Sequence, residues 1–108
     1  MPANFADELK KYGLVVMVFF QPPSAVRTVS ISEGMAEAEI QSKLDAIETT
    51  YRPIGVIRFA KDLAQSEVEV FPGVHPDNQK TALAILQEES NRIAHLLEEE
   101  FRKRHRNP

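Results

Sequence analysis

The sequence predicts an α+β domain. It is read as one two-layer unit spanning residues 1–108, with a mostly antiparallel four-stranded sheet and helices on one face, in the order α-β-β-α-β-β-α. Three observations carry this. Leu14-Val15-Val16-Met17-Val18-Phe19-Phe20 is an unbroken apolar run, rich in the β-branched and aromatic side chains that suit a pleated surface. Two shorter stretches, residues 54–60 and 66–71, have strand-like apolar patterns. Two longer ones, residues 36–50 and 78–103, repeat apolar residues at helical spacing.

Asn4 can cap a first short helix over residues 5–12, on which Phe5, Leu9 and Tyr12 share a face and Gly13 is the stop. The run 14–20 follows, ended by Gln21-Pro22-Pro23. Seven apolar residues in a row read as a central strand covered on both faces and fall far short of the ~20 needed to cross a bilayer. A second strand, residues 25–32, places Val29 and Ile31 on its covered face. It pairs with the first through a tight turn and lies nearer an edge.

In the helix 36–50, Ile40, Leu44, Ile47 and Tyr51 form the apolar stripe, and Arg52-Pro53 stops it. In the third strand, residues 54–60, alternation sets Gly55, Ile57 and Phe59 on one face and Ile54, Val56 and Arg58 on the other. In the fourth, Val68 and Val70 point inward and Glu67 and Glu69 toward water. Asp77 or Asn78 caps the last helix, which would be about 39 Å long. A domain of this size has a radius of gyration of about 13 Å, so the helix is expected to overhang its sheet.

Composition narrows the function classes. Of 108 residues, 43% are hydrophobic and 27% charged, as in ordinary globular domains. With no cysteine, disulfides, thiolate metal sites and cysteine nucleophiles are excluded. Together with an N-terminus that lacks a basic stretch followed by an apolar core, this leads to a cytoplasmic expectation. The net charge is −3, but residues 102–108 carry four of the 13 basic residues and no acid, so a basic tail of +4 follows a body of −7.

Candidate sites are few. His75, in Gly73-Val74-His75-Pro76-Asp77, has the side chain of a base or ligand, yet the turn and the helix cap account for it more simply. Tyr51, Arg52 and Arg58 bring an aromatic ring and positive charge around the third strand. Arg58 either binds an acidic group or extends its stem along the sheet's rim to reach water. His95 and Glu99 stand one helical turn apart, which makes a surface pair and not a metal site, since further ligands have no defined spacing to them. The tail Arg102-Lys103-Arg104-His105-Arg106 has the charge of a nucleic-acid patch without interleaved aromatics, and cations there also complement the helix dipole. No phosphate-cradling glycine loop and no nucleophile elbow occurs. The sequence therefore favours a non-enzymatic reading while leaving an enzyme open, and no cofactor or metal is expected.

The order strand-strand-helix-strand-strand, with Thr28-Val29-Ser30-Ile31 ahead of an acidic helix, resembles the β-grasp layout. The long final helix departs from it. The layout is also similar to that of the small acidic dimeric chaperones of type III secretion. Both are resemblances of element order alone and give no residue a role.

The leading functional expectation is a protein-interaction or adaptor domain acting as a homodimer. Ile93, Leu96, Leu97 and Phe101 continue past the expected end of the sheet and would form an apolar interface patch. An antiparallel pairing would set residues 98–100 of one copy near Arg92 or the tail of the other. The alternatives are a small-ligand site or enzyme around His75 with Arg52 or Arg58, and nucleic-acid binding through the tail.

Overall fold

The structure is a computed structural model and describes residues 9, 11–61 and 65–106; the side chains of residues 105 and 106 are outside the description. Its strands are β1 (Tyr12–Gln21), β2 (Ala25–Ser32), β3 (Arg52–Ala60) and β4 (Ser66–Val70). Helix α1 (Glu37–Asp45) joins β2 to β3, and α2 (Gln79–Arg106) follows β4 after a short 3-10 turn at Pro76–Asn78. The expected first helix falls mostly outside the described residues. Leu9 and Lys11 are helical there, Leu9 is buried, and Tyr12 already belongs to β1. Gly13, expected as a helix stop, lies within that strand.

The sheet order is β2-β1-β3-β4, antiparallel throughout. The apolar run thus occupies a central strand, and β2 and β4 are edges. The turn between β1 and β2 holds a cis Pro22–Pro23 bond. Pleating divides β1 between two cores. Val15 and Phe19 pack with Val29, Ile31, Val56 and Ile40 of α1. Val16 and Val18 pack with Ile57, Phe59 and Ala82 and Leu86 of α2.

The helices accordingly cover opposite faces, one each, where both were expected on the same face. The α+β class, the four antiparallel strands and the element order from the first strand onward stand as expected. The difference has its cause in β1: a strand apolar on every side chain must be covered twice, and an isolated apolar face left to water would lose the hydrophobic contribution of Val15 and Phe19 or of Val16 and Val18.

Alternation also fails at one point in β3. Val18 pairs with Gly55, but Phe19 pairs with Pro53, so Ile54 is an extra residue opposite β1. This bulge turns Ile54 into the core of Val16, Val18, Ile57 and Phe59, away from Val56. Helix α1 ends at Asp45, five residues before the expected boundary at 50, and the Ala46 amide bonds back to Ser42 O. The apolar stripe outlives it: Leu44 and Ile47 are half-buried and Tyr51 is buried in the same core as Ile40.

Helix α2 has 28 residues and is about 42 Å long. The molecule measures 49 × 29 × 22 Å, with a radius of gyration of 14.5 Å. Among the described side chains of α2, Leu97 is the last one packed on the core, and residues 98–104 are all exposed. The overhang expected from helix length is present. Among the described residues no helix is long and apolar enough to cross a membrane.

Candidate functional site

Because β1 and β3 run antiparallel, the end of β1 lies beside the start of β3, and Phe20 pairs with Arg52. The chain leaves β4 at the same end and crosses through Phe71 and Val74 to the first turns of α2. These segments enclose a cleft of about 840 Å³. Phe20, Ile54, Ala82 and Ile85 line it together with Pro22, Pro23 and Pro53, and Arg52 and His75 stand among the remaining lining residues.

Among the described residues no acidic side chain lines this cleft, and Arg52 is the one permanently charged group that does. Among the described residues Arg52 makes no ion pair or side-chain hydrogen bond, whereas Arg58, Arg92 and Arg102 bond to Glu69, Glu89 and Glu98. His75 serves its own turn: Nδ1 accepts the Asp77 amide N–H at 3.1 Å and caps Pro76–Asn78. Asp77 Oδ2 is also 3.6 Å from Nδ1. One nitrogen cannot accept the amide proton and donate to the carboxylate together. The shorter, capping contact fits the tautomer with its proton on Nε2, which leaves Nε2 as the donor for any ligand.

Two of the four residues named from sequence as a ligand site are thus brought together, Arg52 and His75. The other two lie elsewhere. Tyr51 is buried in the α1-side core, with the Arg27 guanidinium 5.3 Å from its ring centre. Arg58 is six residues along β3, about 20 Å in extended chain, and its Nη1 donates to Glu69 Oε1 at 2.8 Å. Glu67, expected to face only water, accepts from the Tyr12 hydroxyl at 2.9 Å. Phe20, Pro22, Phe71 and Ile85 went unrecognised in the sequence. Their only signal is that two proline-bearing turns, 21–24 and 72–76, must lie at one end of the sheet, and this emerges only with the strand order.

A second surface lies at the other end of α2. Ile93 and Leu97 are half-buried against the sheet, but Leu96 is 48% exposed and Phe101 56%. Two ion pairs flank this surface within the helix, Arg92 Nε with Glu89 at 2.6 Å and Arg102 with Glu98 at 3.1 Å, and His95 Nε2 lies 3.2 Å from Glu99 Oε1. Of the basic tail, Arg102, Lys103 and Arg104 are exposed. Among the described residues no group of three or more His, Cys, Asp or Glu side chains is placed to hold a metal ion. Comparison with protein-family models, with curated proteins and with solved structures found no match.

Proposed function

We propose that this chain is a non-enzymatic protein-interaction domain that works as a homodimer joined through the distal half of α2. The observation that supports this most directly is the exposure of Leu96 and Phe101 on a helix that outruns its own sheet. Large apolar side chains on a projecting helix gain free energy when a second surface takes them out of water, at about 25 cal/mol per Å². A two-fold axis lets one patch cover its twin and is the commonest symmetry of soluble oligomers. Since Arg92, Glu98 and Arg102 are paired within their own helix, apolar burial rather than interchain charge would drive the association.

Sedimentation equilibrium tests the reading. The expected result is a dimer of the 12.2 kDa chain, converted to a folded monomer by Leu96→Glu with Phe101→Glu. Leu96 is the informative position, because Leu97 also packs on the sheet and its loss would disturb folding. A wild-type chain that stays monomeric at high concentration would end this reading.

A further inference from the structure

We propose that the cleft between the start of α2 and the Arg52 end of the sheet binds a small amphipathic carboxylate, with its apolar body against Phe20, Ile54 and Ile85 and its carboxylate on Arg52. Three properties of the cleft converge on this ligand class, and none depends on the dimer.

The first is size. About 840 Å³ lies within the range of roughly 300–1,000 Å³ typical of small-molecule sites. The second is charge. The lining is apolar apart from Arg52, His75, Asn78 and Thr81, and among the described residues it holds a guanidinium and no acid. An arginine satisfied by its own fold, as Arg58 is by Glu69, has little left to give a ligand. Among the described residues no side-chain partner takes a donor of Arg52, whose planar fork matches a carboxylate. The third is the presence of Pro22, Pro23 and Pro53 in the lining. Proline has no N–H, so these three residues donate no main-chain hydrogen bond, and the carbonyls of an extended peptide lying along them would be left without partners. A ligand with a single polar head and a long apolar body meets no such cost. His75 also lines the cleft.

The test uses the full chain and three probes of equal length: decanoate, decan-1-ol and decyltrimethylammonium. Binding is measured by calorimetry below their aggregation concentrations and mapped by amide NMR shifts. Decanoate is expected to bind most tightly and to shift Val74, Ala82 and Ile85. Arg52→Gln, an exposed substitution, is expected to weaken decanoate by about tenfold or more while leaving decan-1-ol unchanged. Ile85→Trp, checked for folding by circular dichroism, should block both. Four outcomes overturn the proposal: no decanoate binding; equal affinity for decanoate and decan-1-ol; decanoate affinity indifferent to Arg52→Gln; or shifts confined to residues 93–104, which would place the binding on the distal face of α2. If a peptide that shifts the cleft amides is not displaced by decanoate, the cleft belongs to a protein partner and the proposal likewise falls.

Discussion

Leu86 lies directly over Gly55: a β-carbon built at Gly55 would stand 2.5 Å from Leu86 Cδ1, and it would also collide with the Glu69 carbonyl oxygen of the neighbouring strand. Leu86 is fully buried, so it has no free space to retreat into. Gly55→Ala should therefore destabilise the fold by about 1–3 kcal/mol, the usual cost of overpacking, or by more. Urea unfolding measures it. Adding Leu86→Ala should not restore stability, since the clash with the Glu69 carbonyl remains and a cavity is added.

Val16 and Val18 have no solvent exposure. Val18→Asp should cost more than about 3 kcal/mol, because an unpaired charge would enter a dry core. Ser30→Asp, on an exposed position of the β2 edge, should stay within about 1 kcal/mol of wild type. Thermal unfolding of the two variants compares them; a soluble, cooperatively folded Val18→Asp protein would contradict the central position of β1.

The hydroxyls of Ser66 and Ser90 share a hydrogen bond of 3.1 Å at the α2–β4 seam, and Ser90 is 5% exposed. Ser66→Ala should cost about 1–2 kcal/mol by removing that partner from the buried Ser90 hydroxyl. The double variant with Ser90→Ala should be more stable than the sum of the two single losses, which chemical denaturation of all four proteins would reveal.

Arg58 is largely buried along its stem, with a side-chain exposure of 18%, while Glu69 is half-exposed. A double-mutant cycle with Arg58→Met and Glu69→Gln should give a coupling of about 0.2–1 kcal/mol. The coupling should shrink in 1 M salt, where screening acts over about 3 Å. A coupling that is zero in low salt would remove the ion pair from the account of β3–β4 pairing.

The sheet was legible wherever a side-chain pattern had one cause. Val29 and Ile31, or Val68 and Val70, alternate with polar neighbours and declare their covered face. Residues 14–20 declared that both faces are covered, but not which helix covers which. Ile54 was assigned to the wrong side, since a bulge is a property of two strands and leaves no mark in one of them. The cleft was half visible: Arg52 and His75 drew notice as charged or titratable groups. Pro22 and Phe71 did not, because their proximity follows from β1 lying beside β3, and no local pattern specifies that neighbour.

The position of β1 bears on how the chain is made. Its β2 partner is synthesised within a few residues, so a hairpin can close at once. Its other edge waits for β3, beyond α1, and the face that receives Leu86 waits until α2 has been translated. During that interval a nascent chain carries Val16 and Val18 uncovered beside an unpaired strand edge, the combination most open to association with other unfinished chains. Slow decoding between α1 and α2 would lengthen the exposure, and a ribosome-bound holdase for apolar strands would shorten its consequences.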